Sequence, residues 1–392
     1  MKIDSVDLFF LQMPESDPAY KIVRDTLLVR VRAGQCEGWG ECEAAPFVSL
    51  ASFIMPQSHE TCRPINAALL GQKIQDPSDI YRLIDLARSS TGHLLQAPHA
   101  FSGVEMALWD VVGKSLDEPV YSLLGIKTVH RRLPYVVAPF GETAEETHAR
   151  VAEMSSRGFH AVKVGWGRFG EGNLKGDREH LVAAREALGP DGRLFLDTGQ
   201  IWKNNASSAL RYRSIIDEAN IEWIEEPFHP AATDAYSDFT TLMGSSRVAA
   251  GEHLHDVHSA LKFLKESRVG VLQIDCGHLG GIAPAHEISE QVGADGVKII
   301  NHTYTSHLAL SACLHALAGH AGSDLCEYPF NDSSLSWKIS RNHLFAGQDG
   351  FISLSEGPGL GIQIDLDAVD SYSQDLEIRL SNRVLYSTPT AR

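Results

Sequence analysis

Eight short apolar runs alternate with helical stretches from about residue 132 onward, and this alternation constrains the fold more than any other feature. The runs are LPYVVAP, AVKVG, LFLDTG, IEWIEEP, VAAGEH, VLQIDCG, VKIINHT and DLCEYP. Strands that alternate with helices form parallel sheets. Eight strands within about 200 residues favour a closed barrel over the alternative, an open doubly wound sheet.

The helical stretches carry start and stop signals. Thr143 and Glu146 form a capping box, and Gly158 stands where that helix should end. Asp256 can cap a later helix. The apolar face predicted for the later helix is Val257, Leu261 and Leu264.

The flanking segments do not follow the repeat. The first 45 or so residues read as strands, in KIDSVDLFFLQM, TLLVRVRAG and GWGECEA. Helices follow, the clearest being FSGVEMALWDVVGKSL, with Val104, Ala107, Leu108 and Val111 on one face. We therefore predict a small α+β domain over 1–130, a barrel over 131–350 and a segment over 351–392 that returns to the small domain.

The composition of the chain limits the classes of binding partner and the compartment that we expect. The chain has 392 residues and a formal net charge of −16, which argues against nucleic acid and anionic membranes. No apolar run reaches the roughly 18 residues of a membrane span, and Met1–Phe10 lacks the pattern of a signal peptide. Six cysteines without a CxxC pair indicate free thiols in a reducing compartment, the cytoplasm.

Ionisable residues end seven consecutive predicted strands. They are Lys163, Asp197, Glu225 with Glu226, Glu252, Asp275, His302 and Glu327. The C-terminal strand ends of such a barrel converge on one site, and several carboxylates buried together require a cation. Carboxylate oxygens from separate strands suit Mg²⁺. A zinc hydrolase would need more His or Cys ligands than this set offers.

Several motifs resemble those of the enolase superfamily, in the branch of mandelate racemase, muconate lactonizing enzyme and the acid-sugar dehydratases. LFLDTG, WIEEP and AAGEH resemble its three metal-ligand motifs, LQIDCGHLGGI followed by INH its Asp–His dyad, and MALWDVVGKSLDEPVYSLLG its capping domain. The resemblance covers nearly the whole chain. It implies a TIM-like (β/α)₇β barrel with an α+β cap, and Mg²⁺ held by Asp197, Glu225 and Glu252, with Glu226 the less suited neighbour.

The resemblance also implies catalytic roles. His302 would remove the proton next to a substrate carboxylate, and Asp275 would orient its ring. Glu327 would hydrogen-bond the developing enediolate when protonated, and Lys163 would contact the substrate carboxylate or adjust the charge of the site. The alternatives are a structural His, a solvated Glu and a Lys that only neutralises the metal carboxylates.

Gly165 departs from the family pattern, because it stands where the second Lys of a Lys-x-Lys motif is expected. Racemisation needs acid–base groups on both faces of the α-carbon, whereas one His can perform both steps of a β-elimination. We therefore favour dehydration of a sugar acid to a 2-keto-3-deoxy acid. Alternatively, Lys163, Arg168 or Tyr135 reaches the vacant face, or Gly165 makes room for a larger substrate.

Substrate contacts are expected from loops. Residues 15–25 and 43–53 match the family's cap loops, and the predicted contacts are Tyr20, Lys21, Arg24, Trp166 and His253. The expected partner is a small carboxylate, and the family commonly forms homo-oligomers. The remaining alternatives are a cycloisomerase, epimerase or racemase, a non-catalytic metal-binding relative, and an aldolase. An aldolase would use a Schiff-base Lys, and Lys163 is the only Lys at a predicted strand end.

Overall fold

An antiparallel sheet opens the chain in the computed structural model, which describes residues 1–17, 22–59, 62–91, 98–165, 169–170, 173–243, 247–293, 296–322, 324–330 and 333–392. The sheet has the order β1 (Ile3–Asp17), β2 (Ile22–Ala33), β3 (Cys36–Cys42). Five helices follow: α1 (Pro46–Ile54), α2 (Ile65–Leu69), α3 (Pro77–Ser90), α4 (Pro98–Leu116) and α5 (Val120–Leu123). The predicted cap of strands followed by helices is confirmed.

Helix α4 is the central helix of the small domain. It is buried on every side from Ala100 to Gly113, so the prediction of a single apolar face was too narrow. The sheet touches it closely, because a side chain at Gly38 or Gly40 would overlap the α4 backbone. Asp110 of α4 accepts hydrogen bonds from the backbone N–H of Trp39 at 2.9 Å and of Leu360 at 2.8 Å, which joins three parts of the chain.

The eight apolar runs all contain strands of one parallel sheet. These are β4 (Leu133–Pro139), β5 (Ala161–Gly165), β6 (Arg193–Asp197), β7 (Ile221–Glu225), β8 (Arg247–Ala250), β9 (Val271–Ile274), β10 (Lys298–Asn301) and β11 (Leu325–Glu327). Consecutive strands pair in parallel from β4 to β10, and β11 pairs with β4. Asn301 Nδ2 donates to the Glu327 carbonyl at 2.9 Å across the remaining seam. The sheet is a nearly closed barrel, not an open sheet.

Seven helical connections link these strands, as the repeat predicts. Their helices are α6 (Ala144–Ser156), α7 (Leu174–Leu188), α8 (Ala206–Leu210), α9 (Arg213–Glu218), α10 (Thr233–Leu242), α11 (Val257–Ser267), α12 (Cys276–Leu279), α13 (Ile282–Val292) and α14 (His307–Ala316). Thr143 and Asp256 cap α6 and α11 as predicted, although Glu146 bonds the N–H of Glu142 rather than that of Thr143. Helix α11 buries Ala260, Phe263 and Ser267, whereas its predicted apolar face is only partly buried.

A layer of eight side chains fills the barrel interior, with one contributed by each strand. They are Tyr135, Ala161, Phe195, Trp223, Ala249, Val271, Ile300 and Leu325, all essentially inaccessible to solvent. The rings of Phe195 and Trp223 stack at 3.6 Å between centroids, and Tyr135 packs edge-on against both. The barrel is therefore a packed core below this level.

The C-terminal segment returns to the small domain, as predicted. It follows α15 (Ser334–Trp337) and contains α16 (Leu366–Tyr372), β12 (Glu377–Leu380) and β13 (Arg383–Ser387). Tyr386 donates to the Leu8 carbonyl at 2.8 Å, and the buried Arg30 donates to the carbonyls of Thr390 and Ala391. The boundaries at residues 130 and 350 stay predictions. In the described ranges no helix is both long and apolar enough to cross a bilayer, and all six cysteines are free.

Candidate active site

Five of the predicted site residues lie directly above the interior layer. Lys163, Asp197, Glu225, His302 and Glu327 each follow a layer residue by two positions. Because side chains alternate between the two faces of a strand, these five also point into the barrel. Their placement at the carboxyl ends of the strands follows from this two-residue offset.

Lys163 lies among three carboxylates. Its Nζ contacts Glu225 Oε1, lies 2.9 Å from Glu327 Oε1 and lies 3.6 Å from Asp197 Oδ2. Burial would lower the pKa of Lys163, but Glu225 and Glu327 outweigh it and raise this pKa well above its ordinary value. Lys163 is therefore a fixed positive charge at the centre of an acidic cluster.

His302 and Asp275 form the predicted dyad. His302 Nδ1 lies 2.7 Å from Asp275 Oδ2, and Asp275 Oδ1 accepts the N–H of Gly277 at 2.6 Å. The Asp275 carboxylate accepts a hydrogen bond from the N–H at Nδ1, which leaves the Nε2 lone pair of His302 for chemistry. Burial would raise the pKa of Asp275, but the neighbouring imidazoles of His278 and His302 outweigh it and lower this pKa.

Glu252 links the dyad to the acidic cluster. Its Oε2 lies 3.5 Å from His302 Nε2 and its Oε1 lies 3.6 Å from His253 Nε2. His253 Nε2 also lies 3.2 Å from Glu226 Oε2, so that the ligand atoms of Glu226, Glu252 and His253 lie within 4.8 Å of one another. The sequence favoured Glu225 over Glu226 as a metal ligand and gave His253 only a substrate contact. The structure places Glu226 and His253 beside the predicted ligand Glu252.

The buried carboxylates around Asp197, Glu225 and Glu252 suit a divalent cation. Burial raises the pKa of Glu225 well above its ordinary value, and repulsion from Asp197 adds to this against the opposing effect of Lys163. Burial and repulsion from Glu226 likewise raise the pKa of Glu252, although His302 opposes them. A cation relieves such repulsion, and oxygen donors are the ligands that Mg²⁺ prefers.

Glu327 is engaged at both carboxylate oxygens. Oε2 accepts the N–H of Thr303 at 3.1 Å, and Oε1 faces the Lys163 ammonium. Both carboxylate oxygens of Glu327 therefore act as acceptors in this arrangement. The role predicted for a protonated Glu327 requires Lys163 to turn toward a substrate first.

Gly165 cannot carry a side chain where it stands. Its φ is 150°, and a Cβ atom would overlap the carbonyl oxygen of Asp197 on the neighbouring strand. Of the three side chains named as alternatives, Tyr135 packs in the interior layer, Lys163 is held against Glu225 and Glu327, and Arg168 lies outside the described residues. In the described chain, therefore, no second base stands at position 165.

A cavity of about 880 Å³ opens above these residues, between the barrel and the small domain. One part of its lining is apolar: Val137, Pro139, Pro329, Phe330 and Leu335. Another part is rich in histidine: His99, His253, His255, His278 and His302. The cavity thus combines one apolar wall with one wall of hydrogen-bonding rings.

The predicted substrate contacts have mixed outcomes. Arg24 lines the cavity and donates to the Tyr304 carbonyl at 3.2 Å, and His253 lines it beside the acidic cluster. Tyr20, Lys21 and Trp166 lie outside the described residues. The roles of all five stay predictions.

Sequence reasoning missed two residues beside the dyad. Glu43 follows β3 in the small domain. His278 lies on α12, the short helix that begins directly after Asp275. Their ligand atoms and those of Asp275 lie within 4.8 Å of one another. His278 stands inside the dyad motif DCGHLGG and offered a signal, but no local pattern connects Glu43 with it.

Comparison with known proteins identifies the family. Residues 22–125 match the N-terminal domain of mandelate racemase and muconate lactonizing enzyme, and residues 146–368 match the enolase C-terminal domain-like family. The chain belongs to the mandelate racemase and muconate lactonizing enzyme family of the enolase superfamily. Members of this superfamily use a divalent metal, typically Mg²⁺, which agrees with the donor set above.

Relatives within this family differ in reaction. A solved structure of a predicted mandelate racemase from Rhodobacter sphaeroides is 43% identical, with a TM-score of 0.94 over 99% of both chains. D-galactarolactone cycloisomerase from Agrobacterium fabrum is 27% identical over 86% of this chain and 87% of its own length. N-succinyl-L-Arg/Lys racemase from Bacillus cereus is 26% identical over 94% and 97%. D-gluconate/D-galactonate dehydratase from Picrophilus torridus is 28% identical over 69% and 70%.

Proposed function

We propose that this protein removes the proton next to the carboxylate of a sugar acid and then eliminates the 3-hydroxyl group as water, forming a 2-keto-3-deoxy acid. One observation carries the proposal: the Asp275–His302 dyad is complete, whereas Gly165 leaves no side chain at the position of a second base. One base suffices for elimination, while racemisation needs two. The dehydratase among the relatives adds support.

Each proton has a place in this reaction. His302 Nε2 takes the α-proton, while Asp275 holds the proton on Nδ1 and stabilises the imidazolium that forms. The electron pair moves into the substrate carboxylate and then expels the 3-hydroxyl group, which receives the proton from His302. The resulting enol converts to the 2-keto product. Asp197, Glu225 and Glu252 would hold a divalent cation, which would supply Lewis-acid stabilisation of the carboxylate charge.

Lys163 and Glu327 also act on the negative charge of the substrate carboxylate and of the enediolate formed from it. The Lys163 ammonium is buried, and it contacts Glu225 and Glu327 from the floor of the cavity. An entering substrate carboxylate competes with Glu327 for this ammonium. We propose that Lys163 orients the carboxylate, and that Glu327, once released, takes a proton from solvent water and donates a hydrogen bond to the enediolate.

A cycloisomerase is the second candidate. It removes the same α-proton but expels a ring oxygen of a lactone, so that no water is released. The apolar wall of Val137, Pro139 and Phe330 suits the carbon face of a compact ring, and a D-galactarolactone cycloisomerase is among the relatives. The dyad serves both reactions equally, and the substrate decides between them.

Proton NMR in D₂O with Mg²⁺ separates these candidates. The enzyme is incubated with pooled aldonic acids, aldaric acids and their lactones, beside a His302→Asn variant. A 2-keto-3-deoxy product that is absent with the variant supports dehydration, and ring opening without loss of water supports the cycloisomerase. Exchange of the α-proton with retention of the substrate skeleton would contradict both. Absence of any reaction or exchange would count against sugar acids as the substrate class.

A further inference from the structure

Glu43 is a buried acid that the small domain places against the catalytic dyad. It follows β3 and is 1% exposed. Its carbonyl oxygen accepts a hydrogen bond from Nδ1 of His99, and its Cβ lies 3.0 Å from the position that a Cβ on Gly277 would occupy. The loop that carries Asp275 therefore packs directly on Glu43.

His278 connects Glu43 to the barrel. Its Nδ1 lies 2.7 Å from the Glu252 carbonyl, and because a carbonyl only accepts, Nδ1 carries a proton. Its Nε2 lies 3.1 Å from Glu43 Oε1, in an ion pair whose angles depart from those of an aligned hydrogen bond. The ring is thus held at both nitrogens, between the small domain and the barrel.

Asp275 is shared between two histidines. The donor atoms of Glu43, Asp275 and His278 lie within 4.8 Å of one another, and Asp275 also holds His302 at 2.7 Å. Two carboxylates buried this closely need a positive partner. His278 is that partner, and Glu43 anchors it from the side opposite the barrel.

The backbone after Glu43 is strained. Ala44 and Ala45 have φ values of 57° and 46°, in the left-handed region that residues with a side chain rarely adopt. Both residues also line the cavity. Two such residues in succession persist only where the surroundings enforce them, and they cluster at functional sites. A turn that served only to end β3 could use glycine instead.

We propose that Glu43 is a positioning residue: through its ion pair with His278 it fixes Asp275, so that His302 keeps its proton on Nδ1 and its lone pair on Nε2. This inference rests on the proposed role of the dyad in α-proton removal. It assigns to the small domain a part in the proton transfer itself, since the support behind Asp275 is incomplete until that domain is docked.

Variants at Glu43 test the inference. Glu43→Gln keeps the size but removes the charge, and Glu43→Asp keeps the charge. Glu41→Gln, two residues earlier on β3, is the control. Glu41 is equally buried but bonds Thr26 and Ser306 rather than the dyad. Loss of a charged partner predicts a kcat for α-proton exchange about 10- to 100-fold lower in Glu43→Gln, with KM little changed. Glu43→Asp should recover part of this loss, and Glu41→Gln should keep kcat within about threefold.

An NMR measurement keeps the test independent of turnover. We expect the proton on His302 Nδ1 to give a downfield signal in the wild type, which its loss in His302→Asn would identify. We expect Glu43→Gln to shift or remove this signal and Glu41→Gln to retain it. An unchanged signal in Glu43→Gln, or an unchanged kcat, would overturn the inference even if the enzyme is a dehydratase. If no sugar acid reacts with the wild type, the proposed function fails, while the signal still decides the positioning role.

Discussion

At the residue scale, two consecutive glutamates have different surroundings. Glu225 is the last residue of β7 and points into the barrel, where it contacts Lys163 and accepts from Trp223 Nε1 at 3.3 Å. Glu226 has a φ of 41°, which redirects the chain, and its carboxylate accepts from Gln200 Nε2 at 2.7 Å. Glu225 therefore stays the predicted ligand for a cation above the interior layer, whereas Glu226 belongs to the cluster with Glu252 and His253.

Metal binding tests this difference. We expect Glu225→Gln to weaken Mn²⁺ binding by about 100-fold, because an amide replaces a charged ligand, and Glu226→Gln to weaken it by less than about tenfold. Electron paramagnetic resonance of free Mn²⁺ during titration measures both affinities without substrate. Equal losses in the two variants would contradict the prediction, and a larger loss in Glu226→Gln would favour the cluster of Glu226, Glu252 and His253 as the ligand set.

The sequence could predict which residues lie at the strand ends, but not the contacts between the small domain and the barrel that hold them. Asp197, Glu225, Asp275 and His302 lie at strand ends, and a strand end in a parallel barrel fixes the direction of the side chain. Glu43 meets His278 only because the small domain folds over the barrel. That contact depends on tertiary structure between distant segments, which no local period encodes.

At the element scale, helix α13 begins without a cap of its own. Its first residue follows Gly281, and no side chain from its own segment accepts the free N–H groups. Glu105 of α4 replaces the cap: it accepts the N–H of Ile282 at 2.6 Å and of Ala283 at 2.8 Å, and Nε1 of Trp109 at 2.7 Å. A residue of the small domain thus caps a helix of the barrel.

Glu105→Gln should therefore destabilise the protein. The amide has one oxygen instead of two, so at least one of the three buried donors loses its acceptor, at a cost of about 1–3 kcal/mol in the free energy of unfolding. Urea denaturation measures this loss. Glu290→Gln, an exposed substitution on the capped helix α13, should change the free energy by less than about 0.5 kcal/mol. Equal stability of Glu105→Gln and the wild type would show that the cap is dispensable.

At the scale of the whole molecule, buried neutral histidines make stability depend on pH. His307 and His315 lie on α14, and burial lowers the pKa of each to about 3. Nδ1 of each ring accepts a backbone N–H, from Leu344 and Tyr121 respectively, which requires the neutral form. The unfolded chain binds protons at these rings below about pH 6.5, so stability falls as the pH drops from there toward the folded value.

His315→Asn isolates this effect. Asn can still accept from Tyr121 but does not titrate. Between about pH 7.5 and pH 5 the wild type should lose about 2 kcal/mol of unfolding free energy relative to the variant. Urea denaturation at both pH values gives the comparison. It must be relative, because burial raises the pKa of Glu41 and Glu105 to about 7, and these acids give the opposite slope. Parallel changes in the two proteins would contradict the prediction.

Global architecture was predictable because the barrel repeats one unit. Eight apolar runs bounded by caps and glycines became eight strands, and LFLDTG, WIEEP and AAGEH kept their order around the barrel. The burial of α4 on all sides was not predictable, because its polar residues Glu105 and Asp110 find their partners in distant segments. The homo-oligomeric state stays a prediction.

The interior layer blocks the passage of small molecules through the barrel. Its eight side chains, with Phe195 stacked on Trp223, leave no passage through the floor that they form. Among the residues that the structure describes, the cavity lies above this layer, at the rim where Arg24 and His99 of the small domain stand, and we expect substrate and product to pass there. Product must then leave the cavity before the next substrate enters, as in a pocket that is closed at its inner end rather than a channel through the barrel.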